Sequence, residues 1–330
     1  MAVLVSGGAG YIGSHMVLEL LDRGEKVVVL DDLSTGFWWA VPPEAIFVQG
    51  DIGNQELVEG LIGEYDITEI AHFAARIVVP ESVADPLGYY FNNTVKTRAL
   101  IESAARKGVK HVIFSSTAAV YGEPPVSPVP EEIALNPINP YGRSKLMSEW
   151  MLQDASKAHG FTYIALRYFN VSGADPKGRS GQSSPNATHL IKVASQAALG
   201  QRDGLTVFGT DYATPDGTCV RDYIHVTDLA RAHLAALDHL RGGGTSLTLN
   251  CGYGRGYSVK EVVEVVKKVS GVDFPVTLAD RRAGDPASLI ARADRIRAEL
   301  GWRPQHDDLE EIVGQALAWE EKLRSKNATA

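Results

Sequence analysis

Residues 6–15 read SGGAGYIGSH, directly after the apolar run AVLV at 2–5 and at the head of the amphipathic stretch SHMVLELLDRG. Gly7, Gly10 and Gly13 form a GxxGxxG pattern, and Gly8, Gly10 and Gly13 also satisfy GxGxxG. Glycines between a strand and a helix permit a tight turn and let backbone N–H groups approach a pyrophosphate at the helix N-terminus. The next apolar run, KVVVLDD, ends in Asp31, eighteen residues past Gly13, followed by Asp32. An acid at that strand end accepts hydrogen bonds from an adenosine ribose and repels a 2′-phosphate, so the pattern predicts NAD rather than NADP.

Working outward, the runs AVLVSG, KVVVLDD, AIFVQGD, EIAHFAA, HVIFSS and YIALRYFN each carry four to six core-forming residues. Helical patterns lie between several of them, among them NTVKTRALIESAARKG, which ends in a glycine cap. Strands alternating with helices predict an α/β fold, a Rossmann-like doubly wound parallel sheet covered on both faces. Proline and glycine thicken from SGADPKGRSG onward, which marks a functional loop and a shift to a second, smaller α/β unit. The expected division is a dinucleotide domain over 1–172 and a substrate domain over 173–330. Residues 221–250, ending in the strand-like SLTLNC, are expected to return to the first sheet.

At 330 residues and 45% hydrophobic content the chain can bury one large core or two modest ones. A net charge of −8 excludes a sequence-independent nucleic-acid binder, which needs a basic footprint. Cys219 and Cys251 match neither metal spacing nor a disulfide framework, so no metal is expected. The apolar opening lacks a basic leader and breaks at glycines, and no stretch approaches the ~20 apolar residues needed to cross a bilayer. These features predict a soluble cytoplasmic protein with no membrane partner.

A second cluster sits at 139–145, NPYGRSK, where Tyr141 and Lys145 are one helical turn apart on the same face. Upstream, HVIFSSTAAVYG is a core strand ending in Ser115, Ser116 and Thr117, and carboxyl ends of strands are where ligands sit in open α/β sheets. Free tyrosine titrates near ~10, too high for a base at neutral pH. A neighbouring ammonium and a positive nicotinamide ring would lower it by stabilising the phenolate, with Thr117 relaying or orienting the substrate proton. A general base beside a hydride acceptor is the minimum needed to oxidise an alcohol.

The fingerprint at Gly7–Gly13, Asp31, the hydroxyl strand and Tyr141…Lys145 resemble the extended short-chain dehydrogenase/reductase superfamily. GGAGYIGSH, HFAA…VPESV, NPYGRSKLMSE, LRYFNVSGADP, GTCVRDYIHVTDLARAH and GDPASLIARADR are similar, over essentially the whole chain, to the UDP-glucose 4-epimerase family. The resemblance implies a catalytic base at Tyr141, tuned by Lys145 and assisted by Thr117, acting with a tightly held NAD through a transient 4-keto sugar. Cofactor contacts are implied at Gly7, Gly10, Tyr11, Ile12 and Gly13, and at Asp31, Asp32, Leu33, Ser34, Thr35 and Gly36. Others are implied at Phe73, Ala74, Ala75, Asn92, Ser115 and Tyr168, besides Tyr141 and Lys145. Asp51 either caps a helix or faces the adenine, with Ile52 beside it. UDP-sugar contacts are implied at Thr117, Tyr141, Asn170, His189, Leu190, Thr206, Val207, Phe208, Arg221, Arg282, Asp285 and Leu289. The helix over PLGYYFNNTVKTRALIESAARKG and the one carrying Tyr141 resemble the pair through which this family forms homodimers.

Relatives that dehydrate or decarboxylate nucleotide sugars carry acids just after the strand hydroxyl, where this chain has Ala118 and Ala119. Neither alanine can transfer a proton, which favours epimerisation. The chain departs from the family at Ile77, where a pocket lysine is expected and Arg76 is the adjacent cation. It also departs at His189, and at Leu289 in place of a bulky tyrosine. A leucine leaves more room, so UDP-N-acetylglucosamine or UDP-glucuronate remain alternative substrates, with Ser82 also near the pocket. A catalytically silent NAD-binding regulator is the other class, but such proteins commonly lose the tyrosine or lysine, and both are present here.

Overall fold

The first strand, β1 (Ala2–Ser6), is buried at every position, as a strand covered on both faces must be. The chain continues through α1 (Tyr11–Asp22), β2 (Val27–Asp31), β3 (Ile46–Gln49), α2 (Gln55–Glu64) and β4 (Ile67–His72). Two short helices, α3 (Val79–Ala84) and α4 (Pro86–Tyr89), lead through a π-helical turn at Tyr90–Val95 into α5 (Lys96–Arg106). Next come β5 (His111–Thr117), a 3₁₀ turn at Ala118–Tyr121, α6 (Pro140–His159) and β6 (Thr162–Tyr168). The remainder comprises β7 (Asn170–Ser172), α7 (Leu190–Ala198), β8 (Leu205–Phe208), β9 (Val220–Arg221), β10 (Tyr223–His225) and α8 (Val226–Arg241). It ends with β11 (Leu247–Cys251), β12 (Tyr257–Ser258), α9 (Val259–Ser270), β13 (Val276–Ala279), β14 (Ser288–Leu289), α10 (Asp294–Leu300) and α11 (Leu309–Ala328). This computed structural model describes residues 1–184, 187–282 and 285–328, with side chains in the last helix described to Arg324.

Seven strands form one parallel sheet in the order β11-β6-β5-β4-β1-β2-β3. Alternate residues of β1 feed opposite faces. Val3 and Val5 join Met16, Val17 and Leu20 of α1 and Leu229 of α8. Leu4 joins Val58 and Leu61 of α2, Leu100 of α5 and Leu152 of α6. The fold is therefore α/β and Rossmann-like, and β11, from the far part of the chain, takes the edge beside β6. Because β1 connects forward to β2 on one side and pairs with β4 on the other, a crevice opens at the carboxyl ends of β1 and β4. Small sheets β12-β9-β14, β13-β8 and β10-β7 build the remainder.

The helix expected as one piece over 86–108 is interrupted at its π turn. Asn93 is the cause visible in the contacts: its side chain turns inward, accepting from Arg76 N at 2.9 Å and donating to Arg76 O at 2.9 Å and to Ser144 Oγ at 3.2 Å. The predicted glycine cap is present, with Gly108 at φ +73° just beyond α5. Asn139 starts α6 by accepting from Gly142 N at 2.9 Å, Pro140 fills the first turn where no N–H is needed, and left-handed Gly160 ends it.

Candidate functional site

The glycine loop ends β1 at the crevice. Gly7 has φ +75°, and a Cβ there would lie 2.5 Å from Ala74 N, so this position excludes any side chain. A Cβ on Gly13 would meet Gly7 O at 2.1 Å, so helix and turn can approach this closely only without one. Gly10 is different. Its backbone is extended, and the nearest atom to its Cβ would be Gly7 O at 3.3 Å. The protein itself asks little of Gly10, and a methyl there would stand in the space before α1. That helix has no side-chain cap and no acid in its first turn, leaving its N–H groups and positive dipole end open to an anion. Gly10, Tyr11, Thr35 and Phe37 face residues 180–184 across the cleft above the loop.

At the end of β2, Asp31 is buried, and both carboxylate oxygens accept backbone amides: Oδ2 from Ala9 N at 2.9 Å and Oδ1 from Leu33 N at 2.8 Å. Burial pushes its carboxyl above the ordinary value, with those two amides opposing. The contacts hold Leu33 at φ +59° and aim the 31–36 turn at the cleft, while Asp32 closes its own turn with Ser34 N at 2.9 Å. Tyr11 spends its hydroxyl on Gly173 O at 2.7 Å, bolting the glycine loop to the segment after β7, and Ser14 Oγ reaches Ser180 Oγ at 2.7 Å. Asp51 does not cap a helix: Asn54 caps α2, and Asp51 accepts from Gly53 N at 2.8 Å and pairs with Lys96 at 2.6 Å. Under the crevice His72 bridges Ser6 Oγ at 2.7 Å and Thr97 Oγ1 at 2.9 Å, and burial pulls it down to about 3, so it is neutral. Phe73 N and Ala74 N both donate to Ser6 O, at 2.8 and 3.0 Å, which sets Ala74 against Gly7 of the glycine loop.

Across the crevice α6 lies against the end of β5. Tyr141 and Lys145 are both buried on that face. Lys145 Nζ donates to Ser115 O at 2.9 Å and stands 4.9 Å from the centre of the Phe114 ring. Thr117 Oγ1 accepts Ala119 N at 3.1 Å, and its hydroxyl favours the ionised form of Tyr141. Ser115 Oγ bonds the Tyr168 hydroxyl at the end of β6. Burial pushes the Tyr141 phenol above its ordinary 10.0, Thr117 opposing, and burial pulls Lys145 down to about 7, the Glu149 carboxylate opposing. In the protein alone, therefore, desolvation outweighs the expected lowering of the phenol. A phenolate here requires a further positive charge beside it.

The residues expected to hold a sugar nucleotide fall into small groups. Arg282 lies over the Phe208 ring at 3.7 Å, joining the turn after β13 to the end of β8, with Thr206 and Val207 on the same strand. Arg221 Nη2 approaches Asp285 Oδ1 at 3.7 Å, and Leu289 is its register partner across β9 and β14. Asn170 N is tied to Asp222 O at 3.0 Å, and His189 precedes Leu190 at the start of α7, in a cleft with Tyr11 and Lys192. Arg76 pairs with Asp85 at 3.0 Å and Glu81 at 3.7 Å and lies over the Tyr89 ring at 4.7 Å, and the neighbouring Ile77 is exposed. Ser82 spends its hydroxyl on Val79 O at 2.6 Å. One polar residue on the catalytic face escaped the sequence reading: extending the Tyr141–Lys145 spacing one more turn reaches buried Glu149.

A glycine loop, a buried acid at the end of β2 and a buried tyrosine–lysine pair on α6 define a dinucleotide-dependent enzyme of the short-chain dehydrogenase/reductase type. The chain matches the NAD dependent epimerase/dehydratase family over residues 3–252, and it belongs to that family. It is 58% identical to the UDP-glucose 4-epimerase of Azospirillum brasilense, across 97% of this chain and 92% of the relative. Among solved structures, UDP-glucose 4-epimerase from Brucella ovis in complex with NAD superposes with a TM-score of 0.94 at 47% identity, covering 96% and 97% of the two chains. The UDP-Glc/GlcNAc 4-epimerase from Campylobacter jejuni superposes at 0.86 with 52% identity, covering 97% and 99%.

The glycine contacts separate folding from binding. Gly10→Ala should cost less than ~1 kcal/mol in denaturant unfolding yet weaken retention of NAD. Gly13→Ala should destabilise the fold by about 1–3 kcal/mol, because its Cβ meets backbone.

Proposed function

We propose that the chain is an NAD-dependent UDP-glucose 4-epimerase that interconverts UDP-glucose and UDP-galactose. The observation that carries this reading is Tyr141 and Lys145, buried together on α6 with Thr117 at their side, in a fold whose first strand ends in a glycine loop fit for a dinucleotide. The names of the relatives, similar over nearly the full chain, support the sugar and the position of attack. The α1 N-terminus and the open face of Gly10 hold the pyrophosphate, Asp31 accepts from the adenosine ribose, and Lys145 holds the nicotinamide ribose while sustaining the Tyr141 phenolate. Residues 1–172 together with the returning 221–250 form the dinucleotide domain, and the rest of 173–330 grips the sugar nucleotide.

The chemistry that bound NAD supplies is reversible acceptance of hydride from the sugar carbon. Tyr141 Oη takes the proton of the 4-hydroxyl, and Thr117, fixed by Ala119 N, aligns that transfer. The resulting planar ketone turns over in the pocket, so that the hydride would come back to the other face of the carbon while Tyr141 returns its proton to the 4-oxygen. Arg221 and Arg282 grip the pyrophosphate and Asp285 the uridine ribose. Thr206, Val207 and Phe208 hold the uracil, and Asn170, His189 and Leu190 close the diphosphate side. Ala118 and Ala119 offer no acid, so elimination of water lacks the groups it needs.

Exposed Leu87, Phe91 and Val95, at four-residue spacing, and Met147 and Trp150 on α6 give these helices an apolar outer face suited to pairing with a second copy. The functional unit in this reading is a homodimer in the cytoplasm. Among the described residues no helix is long and apolar enough to cross a membrane.

The purified protein should interconvert the two sugars without added NAD, because each cycle regenerates it. Tyr141→Phe should lower kcat by about 10²–10⁴-fold while NAD stays bound. A requirement for stoichiometric external NAD, or retained activity in the variant, overturns the reading. Leu289, level with Arg221 across β9 and β14, supports a second substrate, because it is smaller than a tyrosine there. UDP-N-acetylglucosamine should turn over within about 100-fold of UDP-glucose, and complete absence of turnover ends that extension.

A further inference from the structure

Glu149 lies one turn beyond Lys145 on the catalytic face of α6, and the mechanism above does not use it. Its carboxylate is gripped by the strands beneath. Ser116 Oγ donates to Oε1 at 2.5 Å, Arg167 Nε to Oε1 at 3.0 Å and Arg167 Nη2 to Oε2 at 2.6 Å. Ser116 and Arg167 are register partners in the β5–β6 ladder, so one side chain docks the helix on two strands. Arg167 passes the constraint on, donating Nη1 to the Tyr121 hydroxyl at 3.1 Å, which donates to Asn250 Oδ1 on β11 at 2.7 Å. All five of these residues are buried. Lys145 forms no ion pair among the described residues: its contacts are Ser115 O and the Phe114 ring.

We propose that Glu149 is a positioning residue for the catalytic pair: clamped by Ser116 and Arg167, its carboxylate keeps the Lys145 ammonium charged without occupying it. This inference rests on the reading of Tyr141 as base. A direct Lys145–carboxylate bridge would consume the N–H donors needed for a ribose and a phenolate. A carboxylate one turn away, with its own oxygens occupied, supplies the field and leaves the donors free. Ser116 and Arg167 fix both carboxylate oxygens in place, and Glu149 in turn sustains the arginine's charge against burial.

The surroundings support Glu149 as the acid that matters. Burial pulls Lys145 down, and the Glu149 carboxylate is the group that opposes it. From β4, His72 is neutral, and from β6, Tyr168 is an un-ionised phenol pushed up by burial. On the 3₁₀ turn, Tyr121 is pushed up to about 12. Charged groups on the other helices packed against α6 pair with each other: Arg98 and Glu102 on α5, and Arg76 with Glu81 and Asp85 around α3 and α4. Lys96 pairs with Asp51.

The test is the pH profile of epimerisation by the NAD-bound enzyme. Removing Glu149 alone would strand a buried guanidinium and destabilise the fold, so the informative variant is the double change Glu149→Gln with Arg167→Gln. Without the carboxylate the lysine loses its proton at lower pH. The alkaline limb of kcat should therefore move down by about one pH unit or more, with KM for UDP-glucose within about twofold of wild type. Glu149→Asp, which keeps the charge, should return the limb toward wild type. A double-variant profile that superimposes on wild type, or a kcat lowered equally at every pH in both variants, overturns the proposal. Tyr141→Phe, run alongside, separates the two readings: activity there would remove the base itself, whereas its loss with an unmoved limb removes only the role of Glu149.

Discussion

Everything in the site depends on an ammonium held out of water. Lys145 Nζ has a single carbonyl, Ser115 O, and the face of Phe114, and burial strips it of the hydration that normally keeps it charged. An isolated buried ammonium prefers to lose its proton. The same burial pushes the Tyr141 phenol toward its neutral form. The two groups are therefore poised in opposite senses, and each supports the charge of the other once both are ionised. Water would screen that coupling, so the dryness that makes the pair costly alone makes it effective together.

The backbone around the crevice supplies the rigidity such coupling needs. Parallel strands end at Ser6, His72 and Thr117: Ser6 and His72 are joined by a buried hydrogen bond, and Ser115 near the end of β5 bonds Tyr168 at the end of β6. Gly7 lets the turn pass against Ala74, and Gly13 lets the start of α1 close on Gly7. The Tyr11–Gly173 and Ser14–Ser180 bonds fasten the later loop across the same helix, which encloses the cleft on its outer side.

Much of this was legible in the sequence, for physical reasons. Strands buried on both faces must read as continuous apolar runs, so β1, β2 and β5 announced themselves, and the glycine spacing after β1 placed the crevice. The Tyr141–Lys145 pair was visible because four residues is one helical turn. What could not be read were contacts set by tertiary geometry. The ion pairs of Arg76 with Asp85 and Glu81 are set by how α3 and α4 fold back beside it. Asp51 was balanced between helix cap and adenine, and Asn54 and Lys96 decided otherwise for the cap. The π turn at Tyr90–Val95 depends on Asn93 finding Arg76 and Ser144, far away in the chain. The direction of the Tyr141 shift likewise needed burial, which no spacing reveals.

The central claim is that the hydrogen on the sugar carbon leaves and returns within one closed site, with Tyr141 handling only the hydroxyl proton. UDP-glucose carrying deuterium at C4, turned over in ordinary water, tests it most directly. The account predicts UDP-galactose that retains the deuterium at C4 in full. Loss of the label to solvent during epimerisation would contradict it, because the carbon-bound hydrogen would then have travelled as a proton.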